Sequence, residues 1–529
     1  AVPPTPESGV RAHIAPSRVE GVAPLSVFFQ GEGTDGLEDD DFVNAYYDWD
    51  FDTTGVDPDH PRKTAIGFNV GHLFREPGEY IVRMKVKDTA GKTGEATVEI
   101  NVLPFTGKTF YVAADGNGDN PGTIEKPWKS FAGALERAEP NMRILFRRGD
   151  EFVLENVNVA GKEGPVIVGS YSDPRRPSEA APLFVGDGTV NMSGTTDWRL
   201  MDLHFKGLFP NFGFRTGPCA EKGCEICAKW KKGDPEGQQL INASGSRHAL
   251  WYRLEIENVG GGIFARRADA KFAVDCHLHD FGTYGFTFAD NTRVAYIGNR
   301  QHRQHGHEHA TRQHNMLNSY YAHNDWTDLG IIKSTMSLRV TPGPGGRLVF
   351  VRNRFCRPAG IGGQGGRGGQ MDALFEGNVA TGGFGGNTVR HAVFRNNRTM
   401  FQSRPGSFIL APFVVFQGVT PVSERIWIYN NTYIGPLVIQ GRADSLQVFN
   451  NIFVGPSKIG AKADRLDGNL HFSENAKALE AWMAERRAEG QCENSKIGDP
   501  QFLSLNPASP DFLKPAPGGP GEGVGAEVF

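Results

Sequence analysis

Nine variants of one short phrase constrain this chain more than any other feature. They are YRLEIENVGG (252–261), VDCHLHDFG (274–282), VAYIGNRQ (294–301), MLNSYYAHN (316–324), VFVRNRF (349–355), ALFEGNVATGG (373–383), VFRNNRTM (393–400), IWIYNNTYIG (426–435) and LQVFNNIFVG (446–455). Most run from an alternating apolar stretch through one or two Asn to a turn. The recurring Asn fall at Asn258, Asn299, Asn318, Asn353, Asn378, Asn397, Asn431 and Asn451, mostly 19 to 25 residues apart. A period of that size, made of strand phrases without helices between them, predicts a parallel β-helix whose coils bury their apolar faces by stacking. Asn suits the turns because it tolerates left-handed backbone and can hydrogen bond to a like Asn one coil away. The Leu spacing of leucine-rich repeats is absent, and a propeller needs a longer repeat.

A chain of 529 residues exceeds one ordinary core, so a second domain is expected. Residues 1–12 are Pro-rich and read as a linker at a trimmed N-terminus. Across 13–104, LSVFFQG, NAYYDWDFD, YIVRMKVKD and GEATVEINV alternate with period 2 between turn signals, which predicts a small all-β sandwich. Within it, GVAPLSVFF (21–29), YYDWDFD (46–52) and GHLFREPGEYIVRMKVKDTAG (71–91) resemble the PKD domain, an immunoglobulin-like module. The Gly-Asp-Gly that usually follows the second motif is replaced here by Asp50-Phe51-Asp52-Thr53-Thr54. The resemblance implies a non-catalytic spacer or carbohydrate-contact module on a secreted enzyme. The loop GTDGLEDDD (33–41) offers Asp35, Glu38, Asp39, Asp40 and Asp41, either as Ca²⁺ ligands or as a solvated acidic loop.

The second domain spans 108–529 and opens with a strand and a short cap helix within 110–138. Its start, NPGTIEKPWKSFAGAL, and its end, GDPQFLSLNPASPDFLKP (498–515), resemble the two ends of bacterial right-handed β-helix proteins of the pectate-lyase-like group. The resemblance implies a right-handed parallel β-helix that degrades polysaccharides. SENAKALEAWMAERRAEG (473–490) predicts an amphipathic helix covering the last coils, with Ser473 as N-cap and Gly490 just past its end. Interruptions at 206–248, 340–347 and 401–424 read as loops walling a groove.

The stretch HRQHGHEHATRQHN (302–315) holds the densest run of histidines. Phrases beginning at Gly262, Gly285, Gly306 and Gly330 are 23, 21 and 24 residues apart. If they stack in register, His307 and His309 lie between Phe286 and Phe288 on one side and Ile331 and Lys333 on the other. With that face outward, Phe286 and Phe288 form a sugar-stacking platform, Lys333 and Arg339 supply cations, and Arg312, His314 and Arg367 join the substrate contacts. Tyr284 is a candidate proton donor and Trp326 a stacking residue. IIKSTMSLRV resembles the Lys and Arg strands of β-helix alginate and chondroitin lyases, with the two cations closer together here.

Cleaving a uronic-acid polymer by β-elimination requires a countercharge for the carboxylate, a base for the C5 proton and an acid for the leaving O4. We assign His307, His309, Lys333, Arg339 and Tyr284 to that chemistry, making the expected function a secreted or periplasmic polysaccharide lyase. Two other readings stay open: a glycoside hydrolase using Asp325 and Asp328, and a non-catalytic glycan-binding protein. The histidines also read as a structural cluster or as Zn²⁺ ligands, while Asp325, Asp328 and Glu308 are candidate metal ligands with Ca²⁺ the first choice. Cys219, Cys224 and Cys227 cluster, as disulfides, thiols or a metal site, and Cys276, Cys356 and Cys492 are scattered. A net charge of −4 and the lack of a long apolar run predict no nucleic-acid partner and no membrane span. The expected partner is a polysaccharide, bound by a monomer.

Overall fold

The computed structural model describes residues 9–526 except 39–40, 209–238, 305–308, 330–333, 341–345, 357–358, 364–369, 383, 388, 402–412, 416–422, 436, 440–442, 456 and 460–462. From Met142 to Phe472, successive strands pass in rotation to three parallel sheets, so each coil gives one strand to each. Asp269–Val274 lies in sheet 1, His277–Phe281 in sheet 2, Phe286–Ala289 in sheet 3, and Thr292–Ile297 returns to sheet 1. Among the described residues, sheets 1 and 2 hold 14 strands each and sheet 3 holds 12. This is a parallel β-helix. The helix Phe131–Glu136, whose N-cap Ser130 accepts from the Gly133 amide, sends Phe131 and Leu135 into one end of the core. At the other end the helix is Ala476–Ala488, and its N-cap is Asn475 rather than Ser473. Ser473 instead accepts from the Asn475 amide, while Gly490 has the left-handed φ of 73° that ends the helix. No described helix is long and apolar enough to cross a membrane.

Inside the coil, like residues stack. Tyr321, Phe350, Phe375 and Phe394 are register partners, with ring centroids 4.4, 5.1 and 4.8 Å apart. Beside them runs an Asn ladder: Asn299, Asn324, Asn353, Asn378, Asn397, Asn431, Asn451 and Asn469, all buried. Each Oδ1 from Asn324 onward accepts from the backbone amide and carboxamide of the preceding member, and each Nδ2 also donates to a strand carbonyl. Asn258 and Asn318 are not members. The left-handed residue comes one position before each rung, at Gly298, His323, Arg352, Gly377, Asn396, Asn430, Asn450 and Gly468. The ladder Asn is therefore chosen for its buried amide, and its predecessor for the turn.

The N-terminal sandwich pairs a three-stranded sheet with a five-stranded one. It is not a tethered spacer, because it lies flat on the outer face of sheet 1. Leu250, Phe272, Ala295, Tyr320, Val349 and Val393 point out of the coil and join one apolar cluster with Phe28, Val70 and Phe74 of the sandwich. The approach is close enough that a Cβ on Gly71 would meet that of Ala295 at 2.4 Å. Sheet 1 is thus apolar on both faces. Polar clamps fix the interface. Arg395, 1% exposed, pairs with Glu376 at 2.8 Å, donates to the Asn44 carbonyl and lies over the Tyr46 ring. The acidic loop is taken up similarly: Asp35 pairs with Arg11, Glu38 with Lys92, and Asp41 with His391. Asp39 and Asp40 lie outside the described residues.

His391 sits between Asp41 of the sandwich and Asp372 of the coil, at 3.0 and 2.9 Å. Burial alone would lower its pKa, but hydrogen bonds and charge from both carboxylates raise it above 6.5. A raised folded value means stability that is full below the unfolded pKa and fades as pH climbs through the folded one. His391→Gln should therefore cost about 1–3 kcal/mol at pH 5.5, and the gap to wild type in urea unfolding should close as pH rises. A gap constant to pH 9 would refute the latch.

Candidate functional site

With sheet 1 covered, the outer faces of sheets 2 and 3 remain. The C-terminal segment crosses sheet 2 in the later coils, where Arg354 donates to the Pro507 carbonyl at 3.0 Å and the Ala526 amide donates to Thr432 at 3.2 Å. Earlier coils of sheet 2 present a ledge. In His204–Lys206, Glu255–Glu257, His277–Phe281 and Arg300–Gln304, the central Phe205, Ile256, Leu278 and Gln301 point inward and are fully buried. Period 2 turns their neighbours outward. Parallel register then builds two columns, His204–Glu255–His277–Arg300–Asp325 and Lys206–Glu257–His279–His302–Asp328.

The imidazoles in these columns touch. His277 Nε2 and His302 Nδ1 share a hydrogen bond at 2.9 Å, with rings stacked 4.6 Å apart. His279 bridges two carboxylates, Nδ1 to Asp280 at 2.6 Å and Nε2 to Glu255 at 3.2 Å. Arg303 holds Asp280 from the far side. Burial, reinforced by the His279 charge, lowers His277 to about 4; burial and the His277 charge take His302 to about 3. Burial opposes protonation of His279 too, but its hydrogen bonds to Glu255 and Asp280 prevail and raise it. The His279 hydrogen bond in turn lowers Glu255 to about 2. The ledge thus packs three imidazoles against two carboxylates.

Sheet 3 carries the second ledge. Its strands Phe286–Ala289, His309–His314 and Ser334–Val340 pair as Thr287↔Arg312↔Ser337 and Ala289↔His314↔Arg339. Thr311 and Gln313 point inward, and Arg312 and His314 are half-buried on the outer side. Arg312 lies over the Tyr284 ring at 5.4 Å, donates through Nη1 to its hydroxyl at 3.0 Å and through Nε to His314 Nε2 at 3.1 Å.

Several expected contacts are corrected. Phe286 and Phe288 are 0% and 1% exposed and face the core, so neither is a sugar platform. Trp326 is fully buried and donates to Gln301 Oε1, so it stacks on no sugar. His309 shares the parity of the inward Thr311, the side opposite the outward Arg312 and His314. The expected register is also shifted: Phe286 pairs with Thr311, 25 residues on, and His309 pairs with Ser334. Asp325 accepts from the amide and hydroxyl of Thr327, and neither it nor Asp328 joins a three-ligand group among the described residues. His307, Glu308, Lys333, Arg367, Gly306, Gly330, Cys219, Cys224 and Cys227 lie outside the described residues. Cys276, Cys356 and Cys492 are buried.

Sequence reasoning missed Glu255, His277, His279, Asp280 and His302 as a group. The signal was present: EIE at 255–257 and HLH at 277–279 are the same alternating motif one coil apart.

Comparisons with solved structures return carbohydrate-active proteins at low similarity. A rhamnogalacturonan lyase is 12% identical, covering 61% of this chain and 87% of its own, with a TM-score of 0.39. The catalytic domain of a GH87 α-1,3-glucanase is 11% identical over 96% of this chain and 98% of its own, at 0.43. A GH136 lacto-N-biosidase from Eubacterium ramulus is 12% identical over 74% and 67%, at 0.34. No curated protein matches the chain. Residues 11–102 match the PKD domain family, so the sandwich laid against sheet 1 is a PKD domain.

Proposed function

We propose that this chain degrades a polysaccharide and, more finely, that it is a lyase cleaving a uronic-acid-containing glycan by β-elimination on the outer face of sheet 3. The observation that carries the reading is the chain Tyr284–Arg312–His314, with Arg339 at the next register position. It assembles the three requirements of the reaction on one ledge. Arg312 offers countercharge to a carboxylate, which makes the C5 proton acidic, and Arg339 follows at the next register position. His314 Nε2 now accepts from Arg312. When the guanidinium swings to the substrate carboxylate, that nitrogen becomes the base. Tyr284 is 6% exposed, and its hydroxyl, held by Arg312, gives its proton to the departing O4.

A hydrolase needs one protonated carboxylic acid. The carboxylates grouped on sheet 2 do not suit that role: the hydrogen bond from His279 takes Glu255 to about 2, and Asp280 is also lowered by Arg303 and His279 against the cost of burial. A secreted or periplasmic location fits such a substrate. The test is a panel of uronic-acid and neutral glycans with product mass analysis. A lyase yields unsaturated products absorbing at about 232 nm. Reducing ends without that absorbance overturn the lyase reading, and no product from any glycan overturns the enzyme.

A further inference from the structure

The sheet 2 ledge carries chemistry that the proposed elimination does not use. We propose that Glu255, His277 and His279 form a binding site for a divalent first-row transition metal. Glu255 Oε1 is 3.2 Å from His279 Nε2 and 4.0 Å from His277 Nδ1, and all three ligand atoms lie within 4.8 Å of one another. Bonds of about 2.0–2.1 Å from a tetrahedral ion set its ligands about 3.3 Å apart, so closure of at most about 1.5 Å suffices. Two imidazoles and one carboxylate are the donor set of zinc and its neighbours rather than of Ca²⁺.

The second observation is how the ligands are oriented. A metal-bound imidazole must present a bare nitrogen, and its other ring nitrogen is held as N–H by a partner. Both histidines meet this with different nitrogens. His279 gives Nδ1–H to Asp280 at 2.6 Å, and its Nε2, 3.2 Å from Glu255 Oε1, is the nitrogen that an ion would take by displacing the proton between them. His277 Nε2 reaches His302 Nδ1 at 2.9 Å, leaving Nδ1. Arg303 in turn fixes Asp280. Such carboxylate and imidazole supports are what a histidine needs to bind metal and are superfluous to a solvated surface cluster. A rival set, Glu257, His279 Nδ1 and Asp280, is also within ligand range. It requires the carboxylate already committed to Arg303, so the first set prevails. His277 and Glu255 are half-exposed, with side chains 35% and 43% accessible, leaving an open position for water or a ligand.

The probe is Zn²⁺ on the full chain, titrated by calorimetry without any glycan, with Co²⁺ absorption as a second readout. Wild type is expected to bind one ion through this site, to gain melting temperature with Zn²⁺, and to show visible Co²⁺ bands of a nitrogen-bearing site. His277→Gln and Glu255→Gln should each weaken binding by 10-fold or more. Asp280→Asn should weaken it by about 10–100-fold through the tautomer of His279. His307→Ala/His309→Ala should leave the affinity and spectrum intact. The proposal is overturned if wild type binds no Zn²⁺, or if His277→Gln, still folded by circular dichroism, binds as wild type does. It also falls if binding disappears only with His307 and His309. None of these outcomes depends on whether the chain cleaves a glycan.

Discussion

Asn378→Leu should destabilise the protein by about 3–5 kcal/mol. The Asn378 carboxamide accepts from the Asn353 amide and side chain at 3.0 Å each, and donates to the Phe350 carbonyl at 3.0 Å and to Asn397 at 2.9 Å. Leucine fills the volume but leaves the Asn353 N–H, one Asn353 side-chain proton and the Phe350 carbonyl without their partner, all in a fully buried column. Each such orphan costs about 1–3 kcal/mol, and relaxation of the coil recovers part of the sum. Asn378→Asp should be little better, since it keeps the acceptor but loses both donors and buries a charge. Asn258→Ala is the control, because Asn258 has a left-handed φ of 53° and stands outside the ladder. Urea unfolding followed by circular dichroism gives the comparison. Equal losses for Asn378→Leu and Asn258→Ala would mean that the column adds nothing beyond ordinary turn propensity.

That contrast also explains how far the sequence could be read. The Asn repeat and its period predicted stacked parallel coils, and six of the eight Asn positions singled out are rungs. Asn324 and Asn469 complete the column, and Asn318 stands outside it. The period alone does not say which Asn is preceded by the left-handed turn residue, and only that one is carried inward. Register failed for a related reason. Glycine spacing aligned Gly285 with Gly306, but the strand that pairs with Phe286–Ala289 begins at His309, so its start follows corner length rather than glycine. The inward face was hidden because polarity misled. Gln301, Thr311 and Gln313 point inward, and Thr311 donates to Gln301 at 2.8 Å, whereas Phe264 is half-exposed on the outer side. Among coil strands that bury amides, polar does not mean outward. The histidine ledge was only partly legible for a simpler reason: EIE and HLH stand one coil apart in the sequence, but its members come from three coils and their contacts follow only from the register.

Tyr284→Phe should lower turnover on a cleavable uronic-acid glycan by about 10²–10⁴-fold, with little change in KM. The substitution keeps the ring over which Arg312 lies and removes only the hydroxyl that accepts from Nη1 at 3.0 Å. A group that protonates the leaving oxygen acts only in the transition state, so its loss falls on kcat. Arg312→Lys should behave differently. It retains charge but loses the fork that reaches Tyr284 and His314 together, so both KM and kcat should suffer. The split between the two variants separates chemistry from packing, since a merely structural Tyr284 would lower melting temperature and leave kcat per folded molecule unchanged. A substrate whose leaving group departs without protonation sharpens the distinction. Tyr284→Phe should cleave it nearly as fast as wild type, because the proton the hydroxyl supplies is no longer needed. If Tyr284→Phe is equally slow on both substrates, the hydroxyl is not the acid, and the role assigned to it falls even if the chain proves to be a lyase.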